Sequence, residues 1–566
     1  MKTGRPTWTK TLVGGLIWGG GAVFVSLVGM VEAFSARQII LGVISLGHLL
    51  LLLIGVGSGF QAARRGSEGT RAALGRGLLA GAAAGAVPAA FIVLGIAVNL
   101  RGMFVSASPV LFDFLSFGRG SGGVPIVIAT SAAAGLAGAA ATLLPPGVRA
   151  PLVNGVAMTL VVGLFQELLQ ILLQQGTVQT AMREFIFTPD GLPPRGAAIV
   201  FLLTAGVTAL WRARRAAVGG WVLRRSAPQQ RLLRLMALAL ALGAVLLLPV
   251  VGGLFISQVL VLVGLYALMG LGLNLEVGFA GLLDLGFVAF FAIGAYTVGL
   301  LTSTGEHGLV HWSFWAAVPV ALVVSLISGV LFGLPILRIR GDYLAIATLG
   351  FGEIIRLLAL SDALRPWFGG SQGVLFIPKP TIGSFEFSGP MQIYYLTLIS
   401  GALIAFVAAR LRDSRLGRAW MALREDEDVA EAMGINLVNV KLLAYGIGGA
   451  FAGMGGAIFA VLLGSIFPHS FNLLISINVL ALIIVGGMGS LPGVVVGSLF
   501  LIGLPELLRE FSDFRFLLYG AALIIMMQLR PEGLWPSAAV RRELRKEEAP
   551  AAITAEPVAA ERGAEA

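Results

Sequence analysis

Cysteine is absent from the 566 residues. A disulfide framework, a thiolate metal site and thiol catalysis are therefore excluded. Charge is scarce as well: Asp, Glu, Lys and Arg make up 12% of the chain, against roughly 25% in a soluble domain. A water-soluble globule of this length could not coat itself with so few ionised groups. Histidine occurs four times, at His48, His307, His311 and His469. His307 and His311 are spaced like a metal pair on a helix, but they flank a short connection with only Glu306 beside them, so no metal site is expected. None of the five Lys follows a Gly. The G-x-x-x-x-G-K-[ST] phosphate loop is thus missing, as is a D-K-T phosphorylation site. Any energy from ATP must arrive through a partner. With no constellation of nucleophile and base, no catalytic residue is assigned, the chain is expected not to be an enzyme, and no bound cofactor is expected.

What the sequence has in abundance is apolar length. Hydrophobic residues make up 57%, mean hydropathy is +0.91, and 77 glycines suit close helix packing in lipid. Apolar runs recur at about 12–31, 38–60, 77–98, 123–144, 152–174 and 197–211. A second series follows at about 235–252, 254–275, 279–302, 313–336, 343–360, 392–409, 441–464, 474–488, 493–508 and 515–530. The expected fold is an all-α polytopic membrane bundle of about sixteen spans, six then ten, several of them Gly-interrupted and open to being broken helices. The first run has no small-residue cleavage site, so it reads as a span rather than a cleaved signal.

Charge sets the orientation. Starting with the N-terminus in the cytoplasm and alternating, 29 of the 39 Lys and Arg fall inside, nine outside and Arg356 within a span, as the positive-inside rule asks. Both termini are then cytoplasmic. The net charge of +10 follows from topology, and no patch interleaved with aromatics points to nucleic acid. Residues 1–211 form a first membrane region of about six spans, 212–234 a basic cytoplasmic linker, 235–536 a core of about ten spans, and 537–566 a tail expected to be disordered.

The hydrophilic stretch from Arg410 to Lys441, between two spans and on the inside by this count, carries the most information. From Leu416 to Met433 it has no Pro and reads as one helix, ended by Gly434. Trp420, Leu423, Glu427, Ala430 and Met433 recur at three- and four-residue steps as a stripe with an apolar edge. Ionised residues at this density do not belong in lipid. Either it is a solvated connector, or its apolar edge fits a groove of a cytoplasmic partner while its charges fix the register.

The residues LGRAWMALREDEDVAEAMGINLVNVKLLAY resemble the coupling segment of LivM-type branched-chain amino-acid permeases. Further collinear blocks match that family: Gly272–Tyr296, Leu334–Leu358, Val479–Gly497 and Leu517–Pro536. Together they cover about 235–536, while the first 225 residues have no clear counterpart. The resemblance implies a plasma-membrane permease working beside a second, LivH-type permease. Two cytoplasmic ATPase subunits and an extracytoplasmic solute-binding protein would complete an ABC importer. It further implies that Gly417, Trp420, Leu423, Arg424, Glu425, Asp426, Glu431, Ala432 and Gly434 engage the ATPase. Urea or short amides are alternative solutes, and a stand-alone ion-coupled transporter is the competing mechanism.

Polar groups inside spans are candidates for a pathway or gate. They are Asn274, Asp284, Thr348, Glu353, Arg356 and Asn478, with Ser476 beside them. Glu353 and Arg356, three apart, can pair on one helix face. All of these can equally serve helix packing. Gly489, Gly493 and Gly497 form G-x-x-x-G steps, which suit packing within the chain or against the second permease. Gln166, Glu167, Gln170, Gln174 and Gln175 read as a solvated helix end or a contact for the binding protein.

Overall fold

The computed structural model describes residues 8–64, 69–173, 177–223, 227–337, 339, 341–511 and 514–537. The tail from 538 onward, Arg65, Gln174, Gln175, Arg224 and Arg225 lie outside them. The architecture is all-α apart from two small hairpins, Gln38–Ile40 with Ile44–Ser45 and Thr381–Ile382 with Phe385–Glu386. Among the described residues, twelve helices are long and apolar enough to cross a membrane, and three shorter apolar helices accompany them. Each of the sixteen apolar runs falls on helix over most of its length. The run expected from 38 opens instead as a hairpin, and its helix begins at Leu46.

The chain divides into two compact units, Met1–Leu242 and Gly243–Ala566. The first is built from α1 (Trp8–Leu27), α2 (Leu46–Arg64), α3 (Thr70–Ala97), α4 (Val124–Leu143), α5 (Pro146–Leu164) and α6 (Pro194–Leu223). Its apolar residues gather in several small clusters rather than one core. Gln166 is not solvated: its amide donates to Gln38 O at 2.7 Å and accepts from Leu192 N at 2.8 Å. A helix end that had to bind two separated backbone groups became a buried clamp, because each of those groups needs a partner away from water. The described parts of 212–234 are helical, belonging to α6 and to the start of α7 (Ala227–Leu273).

The second unit has one continuous core. Its elements are the rest of α7, α8 (Val288–Thr302), α9 (Phe314–Ile336), α10 (Asp342–Leu360), α11 (Pro390–Arg412), α12 (Arg415–Glu425), α13 (Glu427–Ala432), α14 (Leu437–Leu463), α15 (Leu473–Gly486), α16 (Leu491–Ser498) and α17 (Phe514–Leu529). Helix α14 is central, packed against both α8 and α9. The contact of α8 with α14 needs small residues: a Cβ on Gly294 would meet Gly453 backbone atoms at 2.2–2.7 Å. Helix α7 carries two of the expected runs, and at Gly253 the backbone leaves helical geometry with φ 67°. Of the G-x-x-x-G steps, Gly493 and Gly497 pack on Gly486 and Leu482 of α15 in this same chain, while Gly489 precedes the helix.

Connections of this unit gather at its two ends. At one, Val374 bridges to Ile466, Ser303 donates to Leu375 O, and Lys379 Nζ caps the end of α14 by donating to Val461 O and Leu462 O. At the other, Arg424 of the hydrophilic stretch meets Gly278, Gly281 and Gly489, and residues 534–536 pack on 485–487. Strict alternation of the ten runs places these same loops together.

Candidate functional site

The hydrophilic stretch is two short helices rather than one. Ser414 caps α12 by accepting from Gly417 N. At Asp426 the backbone turns extended, φ −158° and ψ 116°, and the side chain accepts from Asp428 N and Val429 N at 3.0 Å. An Asx residue able to cap a new helix competes with continuing the old one. The acidic run therefore breaks the helix that its propensity alone predicts. Gly434 closes α13 in the left-handed region at φ 85°, where a Cβ is costly. Its amide donates to Glu431 O, and Ile435 N donates to Ala430 O. Asn436 then caps α14.

The stripe read from the sequence points the other way from its expected partner. Trp420 is fully buried, Leu423 and Ala430 nearly so, and all three face this chain's own helices. Trp420 Nε1 donates to Val440 O at 2.9 Å. Glu427 pairs with Lys441, whose ammonium is buried at the base of α14. Arg424 Nη1 donates to Gly278 O at 2.7 Å. Gly417 is buried because a Cβ there would meet the carbonyls of Leu411 and Arg412 at 2.3 Å. What remains outward is a mixed face of Arg418, Met421, Glu425, Asp428, Val429 and Met433, with Asp426, Glu431, Ala432 and Gly434 also exposed. Val429 and Met433 are 58% and 79% exposed, on an element too polar to meet lipid. That pair is the most exposed apolar surface of the segment.

Next to this segment the membrane core is interrupted. Helix α7 ends in a π-helical turn, Asn274–Phe279, and residues 280–287 are not helical before α8 begins. The sequence placed Asp284 at the start of a span; it lies instead in this break. The opened backbone is satisfied by the polar side chains around it. Asn274 Oδ1 accepts from Gly489 N at 2.9 Å, Asp284 Oδ1 from Gly286 N at 2.7 Å, Thr348 Oγ1 from Leu285 N at 3.0 Å and Ser476 Oγ from Val288 N at 2.9 Å. Of the expected pathway residues, Asn274, Asp284 and Thr348 thus converge on one break. Asn478 lies apart, against Tyr266. Glu353 and Arg356 form their i, i+3 ion pair, half-exposed on α10.

Glu276, which sequence reasoning passed over, is fully buried in the π-helical turn. It fell between two assigned spans, and an acidic residue at the seam of two apolar runs was the signal available. A cavity of about 10 Å³ adjoins the break, lined by Asp284, Phe290, Phe332, Thr348, Phe351 and Tyr445. That is room for about one water. His307 and His311 sit in a loop, not on a helix, and His311 Nδ1 contacts Ser303 O at 2.6 Å.

A polytopic helical bundle with a broken helix in its core and a polar segment braced beneath it defines a membrane permease. Comparison with known proteins gives the family. Residues 255–527 match the family described as branched-chain amino acid transport system / permease component. The LivM permease protein of the high-affinity branched-chain amino acid transport system of Salmonella typhimurium is 40% identical over 308 residues, covering 50% of this chain and 71% of that protein. The Escherichia coli LivM protein is 40% identical over 304 residues, covering 50% and 70%. The LivH permease of Salmonella typhimurium is 25% identical over 287 residues, covering 48% and 90%. No solved structure matches. The chain belongs to the LivM-type permease family. It is a multi-pass integral membrane protein, in bacteria one of the inner membrane, and the permease subunit of an ABC importer, a class whose permeases pair with other permease subunits. The family match begins at residue 255, so the whole first unit lies outside it.

Proposed function

We propose that this permease carries branched-chain amino acids inward beside a second, LivH-type permease, driven by two separate ATPase subunits and fed by an extracytoplasmic solute-binding protein. The observation that carries this reading is the braced segment 410–441. Trp420, Arg424 and Glu427 fix it to the membrane core, and its outward face keeps Val429 and Met433 between acidic residues. A short helix pair held rigidly from behind can transmit a push from a soluble motor, because its anchors leave little freedom to absorb the motion. The chain itself lacks the phosphate loop, so the motor is a separate subunit. The solute assignment rests on the relatives, which are branched-chain amino acid transport permeases.

The test is purification of the tagged chain from its native membranes in mild detergent, followed by mass spectrometry of what accompanies it. ATPase subunits and a second permease are expected with the wild type, and the ATPases are expected to be lost with Val429→Asp/Met433→Asp. A chain that emerges alone even after crosslinking would refute the reading. Reconstituted with its partners, the assembly is expected to accumulate leucine, isoleucine or valine only with ATP.

A further inference from the structure

Two carboxyl groups lie inside the second unit with no ion-pair partner among the described residues. Glu276 is fully buried, and Asp284 is 2% exposed. Leu282 N, two residues before Asp284, donates to Glu276 O at 2.8 Å, so the chain folds Asp284 back beside the Glu276 turn. Neither oxygen of Glu276 is met by a donor, although both are shielded from solvent. A Cβ on Gly448 would meet Glu276 Oε1 at 2.1 Å, so the carboxyl is pressed against the α14 backbone and has no room to turn away.

The surroundings are polar but uncharged. Tyr445 of α14 lines the small cavity together with Asp284, and its hydroxyl is buried and without a partner. Asn274 Nδ2 is likewise buried and unpartnered. Thr348 of α10 closes the third side. Two cationic side chains come close to this region and each has its own partner: Arg424 of α12 donates to Gly278 O, two residues from Glu276, and Lys441, one turn before Tyr445 on α14, pairs with Glu427. The Glu353–Arg356 pair on α10 is satisfied within itself.

Burial makes this arrangement untenable as two free anions, because both carboxyls are shut away from water. Like charges held close together there need a cation between them. We infer that Glu276 and Asp284, with the Tyr445 hydroxyl, form a binding site for one monovalent cation, a proton or a sodium ion. The Glu276 turn is also the one that Arg424 grips through Gly278, so occupancy of the site and position of the docking segment are mechanically linked. This site is independent of which solute is carried.

The experiment uses the full-length chain in lipid nanodiscs. Thermal unfolding is followed in sodium chloride and in choline chloride at equal ionic strength. Infrared difference spectra on exchange into heavy water read any protonated carboxyl. For sodium, the unfolding temperature rises with sodium but not with choline, and the rise is lost in Glu276→Gln and in Asp284→Asn. For a proton, sodium has no specific effect, and a protonated-carboxyl band present in the wild type disappears in Glu276→Gln/Asp284→Asn. The second single variant keeps the sodium arm readable should one fail to fold. Absence of both the sodium effect and the carboxyl band overturns the inference.

Discussion

Arg424 offers the sharpest perturbation of the proposed coupling. Its guanidinium ties α12 to the broken end of α7 through the 2.7 Å bond to Gly278 O. Removing it in Arg424→Ala strands that carbonyl and frees α12 to shift without dragging the break. A hydrogen bond to a charged group contributes about 1.5–3 kcal/mol. Because this guanidinium is partly in solvent, about 1–2 kcal/mol is the better expectation, a factor of about 5–30 in the linked equilibrium. The segment itself stays folded, since Trp420, the Asp426 cap and the Glu427–Lys441 pair are untouched. The assay is the ratio of solute taken up to ATP hydrolysed in proteoliposomes holding the complete importer. Arg424→Ala is expected to keep its ATP hydrolysis and lose most of its uptake. Arg424→Lys keeps the charge without the planar fork and is expected to fall between. A wild-type ratio in Arg424→Ala would refute the argument that this bond transmits the motion.

Substitutions at three further positions test the bracing of the segment. Trp420→Phe keeps most of the ring volume but removes the bond to Val440 O, whose carbonyl keeps its helical partner, and is expected to cost about 0.5–1.5 kcal/mol; Trp420→Ala adds a cavity and is expected to cost about 3–5 kcal/mol, both read by unfolding of the purified chain. Gly434→Ala meets no neighbour, yet its backbone is left-handed, so a loss of about 1–2 kcal/mol is expected, with Gly434→Asn milder; equal stability of all three would remove the strain argument. Glu427→Gln leaves the buried Lys441 ammonium without its carboxylate and is expected to destabilise by about 3–5 kcal/mol. In that case the exchange Glu427→Lys/Lys441→Glu should recover part of the loss in the same unfolding assay.

Apolar runs too long for a soluble core, scarce charge and basic clusters between runs made the membrane bundle legible from the sequence, because lipid imposes a one-dimensional requirement on composition. The missing phosphate loop and the polar stretch at 410–441 were legible for the same reason: each is a local pattern. What the sequence alone misplaced depended on competition or on direction. Helix propensity favoured one helix from 416 to 433, but Asp426 captured two backbone amides and split it. Periodicity found Trp420, Leu423 and Ala430 on one stripe but could not say whether it faces a partner or the chain itself. Only the tertiary structure turned that stripe inward, exposed Val429 and Met433, and brought Lys441 to Glu427 and Arg424 to Gly278. It alone joined Glu276 to Asp284, since a π-helical turn and an unwound segment between two apolar runs have no period to read, and residues far apart along the chain meet only where packing brings them.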